Sequence, residues 1–256
     1  MKLTLAIACC CAGLLLAAAA VGPLAAEHAR IADALMDPRR PAADVAADTR
    51  RKPAQIVAFI GLNRGDKIGD FMSGGGYFTR VFSDVVGDKG RVYAVLSAEM
   101  ARHCDPEEFA GTHVIERDKS YVNVRVMTEP VMRFAAPEPL DAVFTDTNYH
   151  DLHDQMNEGA DVVAVNRAVF AALKPGGVYV VVDHAAAAGS DLRDTESLHR
   201  IDPAAIKREA AAAGFVFEAE SPMLRNPADD HTLRVFDPKV RGRTDQVVLK
   251  FRKPAR

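Results

Sequence analysis

The chain has 256 residues, 48% of them hydrophobic and 26% charged, with a formal net charge of −3, which suits one large folded domain and excludes disorder throughout. Three of the four cysteines, Cys9, Cys10 and Cys11, sit near the start, so Cys104 alone is left for the rest, and neither an internal disulfide nor a thiolate metal cluster is available there. The mild acidity argues against general nucleic-acid binding.

Residues 1–26, MKLTLAIACCCAGLLLAAAAVGPLAA, place Lys2 before an apolar run and end on Ala25 and Ala26 ahead of Glu27. This reads as a secretory signal peptide, with a periplasmic or secreted destination. The alanine-rich run and small-residue exit favour cleavage over a retained anchor, and no stable membrane association is expected afterwards. Residues 27–52 are charged and alanine-rich, and Asp37-Pro38 and Arg40-Pro41 break any continuous helix, so they are expected to form a surface extension. The domain proper is 53–256. Pro53 suits a first helical turn, Ile56, Val57, Phe59 and Ile60 give that helix a core side, and Gly61 ends it.

From Gly65 to Thr79 the sequence reads GDKIGDFMSGGGYFT: a short apolar strand ending at Asp70, a turn through Ser73, Gly74, Gly75 and Gly76, then a helix. Three glycines remove the side chains that would hold a ligand off the backbone, and free N–H groups at a helix start favour a polar or anionic group. Phe78, Val81, Phe82, Val85 and Val86 recur at helical spacing, Gly87 stops the helix, and Arg91 to Leu96 reads as a buried second strand. The unit is βαβ.

Ala98 to His103 suggests a short helix, and Cys104 to Val122 gives no clear period. Asn123 to Met127 alternates as a third strand, and Leu140 to Thr145 is an apolar fourth. The loop that follows, DTNYHDLHDQ from Asp146 to Gln155, is the densest polar cluster in the chain. A loop leaving such a strand faces the ligand side of an open α/β sheet. Val162, Val165, Val169, Phe170 and Leu173 mark a helix, LKPGG turns the chain, and Val178 to Val182 forms a fifth strand with Asp183 and His184 at its exit. Asp202 caps a helix that runs to Gly214, Phe215 to Glu220 is a sixth strand, and Gln246 to Arg252 a seventh. The intervening 221–245 is longer than a hairpin loop needs and is expected to cover a site.

The order DFMSGGGYFT, VYAV and LKPGG resembles the class I S-adenosylmethionine-dependent methyltransferases over roughly Pro53 to Arg252. The resemblance implies a Rossmann-like α/β fold: a seven-stranded, mostly parallel sheet with a C-terminal antiparallel strand and helices on both faces. It implies S-adenosylmethionine as cofactor, held by Asp70, Ser73, Gly74, Gly75, Gly76 and Thr145. The family pattern DxGxGxG falls with its glycines on Met72, Gly74 and Gly76, so the first is replaced. The ribose-binding acid that usually ends the second strand is replaced by Leu96, with Glu99 nearby to take its part, and Glu129 is the candidate for the adenine amino group. Asn148 and Tyr149 occupy the slot of the Asn/Asp-Pro-Pro-Tyr motif of many members, and NYHDLH is similar to a group of exported bacterial predicted methyltransferases.

Methyl transfer to a small-molecule or exported acceptor is therefore the leading expectation, with His150 as general base and Asn148, Tyr149 and His184 lining the acceptor pocket. An exported binding protein that uses this scaffold without catalysis is the alternative, since two positions of the cofactor pattern are altered. A metal-assisted hydrolase would need His150 and His153 on one helix face with His184 or His231 as third ligand. No HExxH-type pairing is present, and no metal is expected.

Overall fold

The computed structural model describes residues 23–255. The expected leader lies outside these, apart from its last four residues, which open the first helix. In chain order the elements are α1 (Pro23–Leu35), α2 (Ala42–Arg51), α3 (Pro53–Ile60), β1 (Lys67–Phe71), α4 (Tyr77–Val86), β2 (Arg91–Ser97), α5 (Met100–His103), α6 (Ala110–Arg117), β3 (Val124–Glu129) and β4 (Leu140–Asp146). There follow α7 (Val162–Ala172), β5 (Leu173–His184), α8 (Thr195–Leu198), α9 (Pro203–Ala212), β6 (Val216–Ser221) and β7 (Gln246–Arg252).

The seven strands form one sheet in the order β3-β2-β1-β4-β5-β7-β6. β1 to β5 pair in parallel, and β7 runs antiparallel between β5 and β6. Successive side chains of a strand face opposite sides, and the two cores follow that alternation. Ile68, Val92, Phe144, Val180, Val182 and Val248 face α1, α3 and α4, while Phe71, Tyr93, Val143, Tyr179, Val181 and Leu249 face α7 and α9. Strands covered on both faces must be apolar throughout, which is why RVYAVL and VYVVV read so plainly.

Some boundaries differ from the sequence reading. β3 begins at Val124 and runs on to Glu129. β5 starts at Leu173, so the LKPGG turn is a bulge within the strand, where the register against β4 shifts. The stretch Cys104 to Val122 contains α6, which buries only Thr112 and Ile115, too few for a periodic signature. The 27–52 region forms most of α1 and all of α2, broken at the expected prolines, but it is more than a surface wrap. Ile31 and Ala34 join the core, and Asp48 accepts a 2.6 Å hydrogen bond from the Tyr77 hydroxyl.

Candidate functional site

The site is assembled at the carboxyl ends of β1, β2, β4 and β5. After β1 the chain turns sharply: Met72, Gly74 and Gly76 have φ of 60°, 53° and 77°. All three positions of the glycine pattern thus hold left-handed backbone, including the one occupied by methionine, where an L side chain costs about 1–2 kcal/mol. A side chain at Gly76 would be strained, because a Cβ there would lie 2.5 Å from Ile115 Cδ1 and 3.0 Å from Thr112 Oγ1. α6 lies directly on the turn. The Thr112 hydroxyl donates to Gly74 O at 2.6 Å, Arg80 donates to Gly75 O at 3.1 Å, and a Cβ on Gly111 would sit 2.2 Å from Gly75 O. From the other side Asn148 donates its amide N–H to Met72 O and Asp146 O, both at 2.8 Å, tying the β4 exit to the turn.

Two spaces open on either side of Met72, Gly74, Gly75 and Asn148. One, of about 280 Å³, is walled by Leu96, Ser97, Met100, Glu108 and Phe109. The other, of about 250 Å³, reaches Asp44, Arg51, Asp70, Ser73, Asp146 and Thr147. Through Arg51, Asp146 and Thr147 the second space meets a larger chamber of about 520 Å³, which extends past His184 to Phe236 and Arg243. Sharing these wall residues, the spaces lie side by side as the parts of a trough: a crevice over the glycine turn and, next to it, a chamber. Thr147, at the junction, has φ 58°. Left-handed backbone is unusual for a β-branched residue, and strain of this kind concentrates at functional sites.

Asp70 is buried at the crevice floor and accepts a 2.5 Å hydrogen bond from the Thr79 hydroxyl. Burial, assisted by the nearby Asp146 charge, pushes its carboxyl up to about 7 against the Thr79 hydrogen bond. Arg51, from the end of α2, pairs with Asp146 and lies 4.2 Å from the Tyr77 ring centroid. The N-terminal helix therefore supplies part of the wall. The Ser73 hydroxyl is buried in the crevice without a hydrogen-bond partner.

The sequence-predicted residues divide into those the trough gathers and those it does not. Asp70, Ser73, Gly74, Gly75 and Asn148 line the crevice, Gly76 braces it, and His184 lines the chamber. Glu99 does not reach the crevice lining: its carboxylate is buried and accepts from Val131 N–H and the Ser97 hydroxyl. Glu129 is turned to Ala135 N–H, and Thr145 is buried with its hydroxyl unpartnered, outside the lining of either space. Tyr149 is a core residue and not part of an acceptor pocket. It is fully buried, donating to Glu209 Oε2 at 3.0 Å and accepting from Asn166 at 2.7 Å.

His150 cannot serve as the general base in this arrangement. Its Nδ1 lies 2.7 Å from Asp183 Oδ1 and its Nε2 2.9 Å from Asp151 Oδ1, so both ring nitrogens are occupied. Burial opposes its charge, but the two carboxylates prevail and hold its pKa up at about 10; it is an imidazolium at neutral pH. His184 is the opposite case. Burial is the main cause that lowers it to about 4, and Thr244 Oγ1 contacts its Nδ1 at 2.7 Å. The Gln246 amide nitrogen, which can only donate, also lies 3.4 Å from Nδ1.

The histidines imagined as a metal set are dispersed. His153 contacts Glu209, and His231 contacts Asp245. Among the described residues, the group spaced to hold a metal is His150, Asp151 and His199. There Asp151 already pairs with His150 and lies 3.5 Å from His199 Nδ1, and Arg234 donates to His199 Nε2.

Several residues of the trough carried no signal in the sequence: Arg51, Ser97, Glu108 and Phe109. So did Arg200. It is fully buried and donates to Ala185 O and Leu233 O, each at 3.0 Å, while pairing with Asp229 at 2.9 Å. This clamp anchors the 222–245 segment beside the β5 exit, so the segment walls the chamber, as a covering role requires. Its only local sign was the Asp229-Asp230-His231 cluster.

No protein-family model matches the chain, and no curated protein matches it in sequence. Solved structures do match in fold. A SAM-dependent methyltransferase from Aquifex aeolicus superposes with a TM-score of 0.55 at 16% identity, covering 88% of this chain and 98% of the other. A proposed sarcosine dimethylglycine methyltransferase from Galdieria sulphuraria gives 0.58 at 16% identity, covering 85% and 89%. The cyclase SpnF gives 0.58 at 15% identity, covering 81% and 82%. Identities this low establish the Rossmann-like methyltransferase fold and nothing finer.

Proposed function

We propose that the chain is an S-adenosylmethionine-dependent methyltransferase that acts on a small-molecule acceptor outside the cytoplasm. One observation carries the reading: a crevice over a left-handed glycine turn that adjoins a second chamber, with Arg51, Asp146 and Thr147 in the wall of both. A two-substrate transfer needs two adjoining spaces at the carboxyl ends of the strands. The fold likeness to methyltransferases supports the choice of donor, and the residues present suit it. Leu96, Met100 and Phe109 offer apolar surface for a flat base, and the Glu108 carboxylate offers a partner for sugar hydroxyls where the usual acid is missing. The unpartnered Ser73 hydroxyl has a hydrogen bond to give, and the Asp70 carboxyl at the crevice floor can accept one.

S-adenosylmethionine supplies an electrophilic methyl group when bound. The protein's part is to hold the two reactants in line and keep water out. His184, which burial keeps uncharged at physiological pH, lines the chamber and can hydrogen-bond the acceptor group. The test is a calorimetric titration with S-adenosylhomocysteine. Micromolar binding that is lost in Gly74→Val supports the reading, and no heat at millimolar ligand sinks it.

The second reading is a ligand-binding protein without catalysis. It is favoured by Met72, whose buried side chain lines both halves of the crevice where the family carries glycine. Binding of S-adenosylhomocysteine with no methyl transfer to any acceptor would select it. Export is part of the proposal and rests on residues 1–26; fusing them to a reporter active only outside the cytoplasm tests it separately.

A further inference from the structure

The chamber is built from the end of α2 and the 222–245 segment, the parts of the chain that strand and helix periodicity leave unexplained. Its volume of about 520 Å³ suits a small organic ligand. Its wall carries six cations, Arg50, Arg51, Lys52, Arg225, Arg241 and Arg243, against one acid, Asp146. The chain as a whole has a formal net charge of −3, so this concentration runs against the overall balance.

Two of the six are neutralised in place, Arg51 by Asp146 and Arg225 by Asp245 at 2.9 Å. The other four have no carboxylate partner among the described residues. Lys52 donates to Met223 O at 2.6 Å and Arg243 to Lys239 O at 2.7 Å, both backbone carbonyls. Arg50 and Arg241 spend no side-chain hydrogen bond on the protein and are exposed. Gathering like charges around a concave wall costs repulsion that the fold does not require, and a bound anion offsets it. Guanidinium forks match carboxylate and phosphate oxygens in pairs. Ala46, Leu224, Val235 and Phe236 line the same chamber, and Phe236 is 52% exposed, with Arg234 5.3 Å from its ring centroid. An apolar body has a surface to lie on.

We propose that the chamber binds a small anion with an apolar, aromatic-sized body, its carboxylate or phosphate group held by Arg50, Arg241 and Arg243. Calling that anion the methyl acceptor rests on the methyltransferase reading, but the anion specificity rests on the charge pattern alone.

The experiment is calorimetric titration of the purified full chain with benzoate, phenyl phosphate and benzamide, which share a ring and differ in charge. At least one anion binds, which distinguishes a carboxylate from a phosphate ligand, and benzamide binds about tenfold more weakly or worse. Arg50→Gln/Arg241→Gln alters exposed residues and leaves folding intact, yet reduces anion affinity about tenfold; the salt dependence of binding falls with it. Benzamide binding as tightly as the anions, no binding of either anion, or unchanged anion affinity in the double variant would each overturn the proposal. S-adenosylhomocysteine is titrated into the same preparation as a separate arm. Its failure to bind removes the methyl-transfer reading while anion binding stands, and its binding with the anions silent does the reverse.

Discussion

The glycine turn can be dissected by two substitutions that differ in what a single methyl group meets. In Gly76→Ala the new Cβ lies 2.5 Å from Ile115 Cδ1 and 3.0 Å from Thr112 Oγ1, at φ +77°. Left-handed alanine costs about 1–2 kcal/mol, and overpacking a filled site adds about 1–3 kcal/mol. Ile115 Cδ1 is a chain end and can rotate, which favours the lower figure. Thr112, held by its 2.6 Å bond to Gly74 O, has less room, which favours the higher. In Gly74→Ala the backbone cost recurs at φ +53°, but the Cβ has nothing within 4 Å and projects into open crevice. Urea unfolding should show Gly76→Ala less stable than Gly74→Ala by about 1–3 kcal/mol, the overpacking term alone. Calorimetry should show the larger loss of S-adenosylhomocysteine affinity, about tenfold or more, in Gly74→Ala, because its methyl group takes ligand space and a contact worth about 1.4 kcal/mol is tenfold. Equal stabilities, or a Gly74→Ala protein that binds as well as the native one, would refute this account of the turn.

Three further outcomes are expected. His150 has its pKa raised from 6.5 to about 10, so its contribution to stability is complete below pH 6.5 and lost as pH rises through about 10; urea midpoints should decline over that window, and His150→Gln should flatten the decline, an identical slope in both proteins being the contrary result. Tyr149→Phe removes a hydroxyl buried between Asn166 and Glu209 and should cost about 1–3 kcal/mol in unfolding free energy with S-adenosylhomocysteine affinity unchanged; a selective loss of affinity would restore Tyr149 to the binding site. Met72→Gly relieves left-handed strain of about 1–2 kcal/mol but gives up a buried side chain worth about 2–5 kcal/mol. It should be less stable on balance yet bind S-adenosylhomocysteine more tightly, and weaker binding in calorimetry would show that Met72 supports the ligand.

Most of the sheet was legible because its parallel strands are covered on both faces, and RVYAVL, LDAVFT and VYVVV have little choice but to be continuously apolar. The glycine turn was legible for a local reason too, since its backbone angles are set by neighbours in sequence. Local signals fail where a contact is made at long range. His150 reads as a free imidazole in a polar loop until Asp183, carried in by β5, closes on its Nδ1. Arg200 reads as a solvated charge until Ala185 and the 222–245 segment supply its carbonyls and carboxylate. α6 was missed because a helix that buries two residues leaves no stripe. The chamber's cations are scattered between α2 and the last connection, and only the fold makes them neighbours.

The sheet order places β7, latest in the chain, as a wedge between β5 and β6. The donor half of the trough, made by β1, α4, β2, α6 and Asn148, is encoded wholly upstream. The opposite half waits, because Thr244 and Gln246 in its wall arrive only when that wedge slides in and zips β6 onto the sheet. The crevice over the glycine turn therefore draws its lining from residues before 149, whereas the chamber draws part of its wall from residues 224–246.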